Sequence, residues 1–119
     1  MSREINELIL KELRKISKMF ILVHAESIEK ELEKIANTDK RKIMWVLIDG
    51  KRMSKDIAEV LKVSEEAVNK FLRKLSVAGF ATNPKGKPPK RIIDYVPPTW
   101  IELLNKLEEG EENERRDDS

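Results

Sequence analysis

The 119-residue sequence contains no cysteine, one histidine and only four glycines, and these shortages exclude several kinds of chemistry. Without cysteine there is no disulfide, no thiol nucleophile and no thiolate ligand for a metal. The single histidine, His24, cannot complete a zinc site or a Cys–His pair, so we expect it to serve packing or capping. Four glycines leave no glycine-rich phosphate loop of the kind found in nucleotide-binding enzymes. We therefore expect no enzymatic activity, no metal and no cofactor.

Long apolar runs and aromatic side chains are also scarce. The longest apolar run, Met19 to Val23, is far shorter than the roughly 20 residues of a membrane span, and the N-terminus lacks a signal-peptide pattern. Aromatic residues make up 5% of the chain and charged residues 39%, which favours helices with one solvated face. Glutamine is absent while Lys, Glu and Ile are abundant, a bias that resembles the composition of hyperthermophile proteins. These features predict a cytoplasmic protein from a thermophile.

The net charge of +2 is unevenly distributed along the chain. Residues 1–38 carry seven basic and seven acidic side chains, residues 39–96 carry fourteen and seven, and residues 97–119 carry three and eight. The middle segment, with a net charge of +7, is a candidate surface for a polyanion. A merely solvated face is the simpler alternative.

Residues 1–38 are expected to form one long helix that serves dimerisation. Residues 3–36 contain no Gly or Pro, and apolar residues recur at the alternating spacings of four and three that a helical seam requires. The seam consists of six residues, Ile5, Ile9, Leu13, Ile16, Phe20 and Val23, and after a slip in spacing it continues with Ile28, Leu32 and Ile35. A break near residues 24–27 is the alternative. So long a helix cannot bury its seam inside so small a domain, so a second copy of the chain is the simplest partner, with intrachain packing as the alternative.

Three shorter helices are expected in residues 39–78. Residues 37–39 end the first helix and cap the second, which runs to about Ile48. Ser54 is the expected N-cap of the third helix and Ser64 that of the fourth, which covers about residues 64–78. The turn between the third and fourth helices is so tight that the pair forms a helix-turn-helix.

A β-hairpin and a last helix follow. Phe80–Thr82 and Lys90–Val96 have the composition of two strands, and a strand–loop–strand unit directly after a helix-turn-helix is a wing. Residues 97–110 carry an amphipathic helix with Trp100, Leu103, Leu104 and Leu107 on one face, a second candidate for the dimer contact, and residues 111–119 are expected to be a disordered acidic tail. The predicted fold is mostly α with a small β-hairpin wing (α+β), a winged helix-turn-helix over residues 39–96 with long N-terminal and short C-terminal helices for dimerisation.

The helix at residues 64–78 has two distinct faces. Val68, Phe71, Leu72 and Leu75 cluster on one side, and Glu66, Asn69, Lys70 and Arg73 lie almost opposite. The apolar set must be buried, so the polar set points outward. Asn can bond adenine bidentately, and Lys or Arg can bond guanine or phosphate, so this outward face suits the major groove of DNA.

The run from Leu61 to Phe80, LKVSEEAVNKFLRKLSVAGF, resembles the recognition-helix segment of winged-helix regulators of the ArsR, MarR and TrmB type. It contains a Val-Ser turn, apolar positions at Val68, Leu72 and Leu75, and a Gly-plus-apolar exit. The resemblance covers about residues 40–96 and, with the composition, favours an archaeal member. It implies that residues 64–73 face the major groove and that the wing tip reaches the DNA backbone or minor groove. The chain departs from the pattern at Glu65 and Glu66, where such families often carry small polar or basic residues.

The sequence thus predicts a double-stranded DNA-binding homodimer, either a transcription regulator or a small chromatin-type protein, associated with the nucleoid. The recognition helix would span about residues 64–78 and the wing residues 83–91, where four basic residues occur with no acid among them. The expected DNA-binding side chains are Lys55, Ser64, Glu66, Asn69, Lys70, Arg73, Lys74, Lys85, Lys87, Lys90 and Arg91.

Two other functions fit the same pattern. The first is a winged helix used as a protein-interaction module, for which the acidic pair Glu65 and Glu66 is the best indication. The second is RNA or single-strand binding, which requires exposed stacking aromatics, and Tyr95 is the one candidate.

Overall fold

The computed structural model describes the backbone of residues 2–117 and the side chains of residues 2–111. This part of the chain is mostly helical and contains one small antiparallel sheet, which confirms the expected α+β class. The elements are α1 (Ser2–Ile35), α2 (Asp39–Leu47), α3 (Ser54–Leu61), α4 (Glu65–Val77), β1 (Ala81–Thr82), β2 (Lys90–Arg91) and α5 (Pro98–Asp117). They form two compact units that divide after Leu32. No helix in the described residues is long and apolar enough to cross a membrane.

The first unit is the greater part of α1. The helix continues without interruption through residues 24–27, so the single long helix is confirmed and the alternative break is wrong. Its 34 residues correspond to about 50 Å at a rise of 1.5 Å per residue. The six seam residues up to Val23 are between 52% and 77% exposed, and Leu8 and Met19 beside them are exposed as well. Ile28 and Leu32, which continue the seam, are buried. The first unit therefore presents a continuous apolar face to solvent.

The second unit has its core among α2, α3 and α4. Trp45 of α2 is fully buried, and its indole Nε1 donates a hydrogen bond of 2.9 Å to the backbone oxygen of Tyr95. Helix α5 packs mainly against α2 and buries Trp100, while the leucines that follow on the same stripe are half-buried. The apolar stripe of α5 is therefore largely used inside the unit, and it is a weaker candidate for a dimer contact than the face of α1.

The caps of three helices show how the sequence sets their starts. Thr38 caps α2 and Ser64 caps α4, since their hydroxyl oxygens accept the amides of Arg41 at 3.3 Å and Ala67 at 3.1 Å. The predicted cap Ser54 is wrong, because Ser54 is already the first residue of α3 and Met53 takes the cap position. The Asp56 carboxylate accepts the Met53 amide at 3.2 Å, which is the contact that the third helical residue makes in a capping box.

A short turn joins α3 to α4. Lys62 adopts the left-handed conformation with φ of 55°, and the amide of Val63 donates to the oxygen of Ala58 at 3.1 Å. A non-glycine residue pays a small steric cost in this conformation, and here that residue ends α3 and allows α4 to start at once.

The hairpin after α4 is shorter than predicted. Strands β1 and β2 pair with Ala81 opposite Arg91 and Thr82 opposite Lys90, so the expected return strand over residues 90–96 is wrong beyond Arg91. The chain bends there, and Asp94 turns back to bind the Arg91 side chain. Lys90 also forms an isolated antiparallel β-bridge with Asp49 through the backbone. This β-bridge attaches the segment after α2 to the hairpin.

Helix α5 is longer than predicted. The expected helix ended at Gly110 and was followed by a disordered tail over residues 111–119, but α5 continues to Asp117, so this boundary is wrong. Gly110 does not take the positive φ of a glycine that ends a helix, and its cost in a helix interior is only about 1 kcal/mol relative to Ala. Residues 118–119, the remainder of the predicted tail, lie outside the described residues.

Candidate nucleic-acid interface

Helix α4 is fixed by its apolar face. Val68, Phe71, Leu72 and Leu75 are at most 3% exposed, which confirms the predicted buried set. Packing of these four side chains against the core turns the opposite side of the helix toward solvent. Glu66, Lys70, Arg73 and Lys74 are exposed there, and Asn69 is half-buried at the edge.

A cleft of about 410 Å³ lies between the first half of α4, the start of α3 and the hairpin loop, and we call it the hairpin cleft. Its lining residues are Met53, Ser54, Glu65, Asn69, Asn83, Pro84, Lys85, Gly86, Lys87 and Pro89. Asn69 of α4 thus shares one concave surface with Lys85 and Lys87 of the loop. Gly86 has a φ of 76°, which lets the loop turn between the two lysines.

Glu65 and Glu66 are both exposed, but only Glu65 lines the hairpin cleft. The hydroxyl of Ser54 donates a hydrogen bond of 3.4 Å to the Glu65 carboxylate, which links the first turns of α3 and α4. Glu66 is exposed and does not line the hairpin cleft. The two acids therefore have different surroundings although they are neighbours in sequence.

The second half of α4 faces a different hollow. The α4 hollow, of about 390 Å³, is lined by Lys34, Ile35, Asn37, Arg41, Arg73, Lys74 and Val77. A smaller depression of about 240 Å³ adjoins it and shares Arg41 and Lys74. Arg41 was recognisable in the sequence only as one of three consecutive basic residues, and only the fold brings it to α4.

Five cations of this surface lack an acidic partner in the part of the chain that the structure describes. Among the described residues, no carboxylate forms an ion pair with Lys70, Arg73, Lys74, Lys85 or Lys87. Their charge is therefore available to an external anion.

The remaining predicted side chains are more dispersed. Lys55 is exposed on the first turn of α3 but lines neither the hairpin cleft nor the α4 hollow. The Ser64 hydroxyl is engaged as the cap of α4. Lys90 is exposed, and its aliphatic stem lies against Gly50, where an added Cβ would be 3.3 Å from Lys90 Cδ.

Arg91 does not belong to the interface, and this part of the prediction is wrong. Its side chain is 13% exposed, and its Nη1 donates to the backbone oxygens of Trp45 and Val46, each at 2.9 Å. Its Nε and Nη2 bind the Asp94 carboxylate at 3.2 Å, and the guanidinium lies 5.9 Å from the centre of the Trp45 ring. Arg91 therefore donates to two carbonyls in the last turn of α2 and holds the hairpin to that helix.

Asp49 has a structural role that its place in the sequence did not reveal. Its carboxylate accepts the amides of Lys51 at 2.9 Å and Arg52 at 3.3 Å, and it pairs with the Arg52 guanidinium at 2.8 Å. Partial burial raises the pKa of Asp49, but these hydrogen bonds and the Arg52 charge outweigh it, so the pKa lies below its ordinary value. Asp49 therefore stabilises the turn between α2 and α3.

The described residues contain no cluster of three or more His, Cys, Asp or Glu side chains that could hold a metal ion. The surface that remains is an exposed helix face and a basic loop that share one cleft, and a cationic hollow beside them. Comparison of the chain with protein-family models, with curated proteins and with solved structures finds no match.

Proposed function

We propose that the protein is a winged helix-turn-helix protein of the ArsR, MarR and TrmB type that binds double-stranded DNA as a homodimer and has no enzymatic activity. The observation that carries the proposal is the hairpin cleft, in which Asn69 of α4 and two lysines of the loop face the same space. This function corresponds to a nucleoid-associated protein of the cytoplasm, either a transcription regulator or a small chromatin-type protein.

The geometry supports different roles for α4, which would read bases, and for the loop, which would bind the DNA backbone. The 13 residues of α4 make a helix of about 20 Å, and a helix fits the major groove of B-DNA. Asn69 would read a base edge, and Lys70, Arg73 and Lys74 would bind guanine or phosphate. Lys85 and Lys87 would bind the backbone or the minor groove without reading sequence.

Homodimerisation is proposed through the exposed apolar face of α1. From Ile5 to Val23 the face is about 27 Å long at 1.5 Å per residue, and every seam residue on it is at least half exposed. A face of this size is costly to leave in water, and a second copy offers an equal face in a closed two-fold arrangement.

The two alternative functions have weaker support. Tyr95 is half-buried, and the other aromatic side chains of residues 33–111 are buried or half-buried, so this unit offers no exposed ring for stacking on single-stranded bases. A protein-interaction role is favoured by the two exposed acids Glu65 and Glu66 on an otherwise basic surface.

Fluorescence anisotropy at several salt concentrations, with duplex DNA, single-stranded DNA and RNA, tests the proposal. We expect duplex to bind best, with log K falling by about 0.9 per phosphate contact for each unit of log salt. Lys85→Ala and Lys87→Ala should each reduce this slope by about one and weaken all duplexes equally. Asn69→Ala should instead reduce the preference for a selected duplex and leave the slope unchanged.

Lys106→Ala is the matched control, because Lys106 is an exposed lysine of α5 that lines neither the hairpin cleft nor the α4 hollow. It should change neither slope nor preference. Weak duplex binding at physiological salt that the loop substitutions do not change would refute the proposal in favour of a protein-interaction module. Tighter binding to RNA or to a single strand would refute it in favour of the other alternative.

A further inference from the structure

The α4 hollow has the size of a small-molecule site. Its volume of about 390 Å³ lies at the lower end of the range of roughly 300–1,000 Å³ that is typical of such sites. It shares no lining residue with the hairpin cleft, so the two are separate features of one surface.

The charge of the α4 hollow is all of one sign. Lys34, Arg41, Arg73 and Lys74 line it, and no acidic residue does. Asn37 accepts a hydrogen bond from Nη1 of Arg41, which fixes that guanidinium at the rim. Like charges gathered around so small a volume repel one another, and a bound anion removes this repulsion. An arginine fork matches the oxygens of a phosphate better than a lysine does.

The α4 hollow also has an apolar wall. Val77 is 91% exposed, more than any other large apolar side chain of the described residues, and Ile35 lies half-buried in the same lining. An inorganic anion has no apolar surface that could be buried against these two side chains. The combination of cations and exposed apolar surface fits a ligand with an anionic head and a short carbon body.

We propose that the α4 hollow binds a small organic phosphate. Arg41 and Arg73 hold the phosphate group with Lys74, and the carbon body lies against Val77 and Ile35. Arg73 and Lys74 also belong to the face that the proposed function assigns to duplex DNA. The ligand and the duplex therefore compete, an effect that rests on the proposed function, whereas binding of the ligand itself does not.

Binding is measured without DNA by titrating ¹⁵N-labelled protein with n-butyl phosphate, inorganic phosphate and n-butanol and following the amide resonances. We expect n-butyl phosphate to shift the amide resonances of Asn37, Arg41 and Val77. It should bind about tenfold more tightly than inorganic phosphate, because part of its butyl group is buried against Val77. n-Butanol alone should cause no shift. Equal affinities for the two phosphates, or shifts spread over all lysines and arginines of the surface, would overturn the proposal.

Two substitutions on α4 form a matched pair. Val77→Asp places a carboxylate in the α4 hollow, whereas Ser76→Asp places one on the neighbouring exposed residue, which does not line the hollow. Both add the same charge at the same end of the helix. We expect Val77→Asp to weaken n-butyl phosphate binding more than tenfold and Ser76→Asp to change it less than twofold. An equal loss in both variants would mean that only the overall charge matters, and would overturn the proposal.

Competition is then measured with labelled duplex and rising n-butyl phosphate. We expect the apparent Kd for duplex to rise in the unaltered protein and in Ser76→Asp. Duplex affinity that is unchanged at saturating n-butyl phosphate would refute the competition. A protein that binds n-butyl phosphate but no duplex would refute the proposed function and leave the α4 hollow as a ligand site.

Discussion

Arg91 shows that a basic residue in a basic loop can have a purely internal role. Four of its hydrogen bonds end on the backbone of α2 or on Asp94, and its stem is largely buried. The Trp45 oxygen also accepts the Ile48 amide at 3.3 Å, whereas the Val46 oxygen would lose its bond to the guanidinium if Arg91 were removed.

We therefore predict that Arg91→Ala lowers the free energy of unfolding by about 2 kcal/mol and leaves the salt slope of duplex binding unchanged. Arg91→Lys should recover only part of the stability, because three donors on a single nitrogen replace the four hydrogen bonds that three guanidinium nitrogens make. Urea denaturation and anisotropy measure the two effects. Lys87→Ala is the opposite case, with unchanged stability and a reduced slope, and the assignment fails if Arg91→Ala behaves in the same way.

Asp49 leads to a prediction about pH. Its pKa is lowered in the folded protein, so as the pH falls the unfolded chain takes up the proton first, near the ordinary value of about 3.9. The contribution of this carboxylate to the free energy of unfolding is therefore complete above that pH, and it is lost as the pH falls through the folded-state pKa.

We expect Asp49→Asn to be less stable than the unaltered protein by about 0.5–1 kcal/mol at pH 7. The side-chain oxygen of asparagine can still accept the Lys51 backbone amide, but the uncharged side chain no longer forms an ion pair with Arg52. The difference should close as the pH falls below 4. Urea denaturation from pH 7 to pH 2 measures it. A gap that stays constant over this range would show that the carboxylate charge is not responsible.

At the scale of elements, the helices were predictable and their ends less so. The periodicity of apolar residues located α1 to α4 within a few residues, because each of these helices buries or exposes one stripe. The length of the return strand was overestimated, because the β-rich composition of residues 92–96 does not indicate whether a partner strand is present. The position of Arg41 at α4 depends on how α2 packs, and Arg91 was misassigned because its carbonyl partners lie more than 40 residues away in sequence.

The apolar face of α1 carries the prediction about assembly. Phe20→Glu places a charge in the middle of the seam and should increase the dissociation constant of the dimer by at least tenfold, since a buried unpaired carboxylate costs more than about 1.4 kcal/mol. Lys18→Glu is the control, because Lys18 lies on the opposite side of α1 from the seam. Light scattering over a dilution series measures the mass. A monomer at micromolar concentration in the unaltered protein would contradict the pairing of α1.

On the scale of the whole molecule, charge and apolar surface are segregated. Residues 39–96 of the second unit carry a net charge of +7, the exposed apolar seam lies on the first unit, and residues 97–119 carry eight acidic and three basic side chains. This segregation is consistent with one part of the chain for assembly and another for a polyanion. Each part can then be altered by surface substitutions that leave the other intact.

The burial of both tryptophans separates the two units spectroscopically. Trp45 and Trp100 are 0% and 2% exposed and both lie after Leu32, so their emission reports on the second unit alone. Far-UV ellipticity, in contrast, reports on all the helices, and α1 with 34 residues is the longest of them. An unpaired helix of this kind frays in water, so dilution should reduce the ellipticity while the tryptophan emission stays constant. Denaturation curves recorded by the two signals should therefore have different midpoints, with only the ellipticity midpoint rising with protein concentration, and coincident curves at every concentration would show that the chain unfolds as one cooperative body.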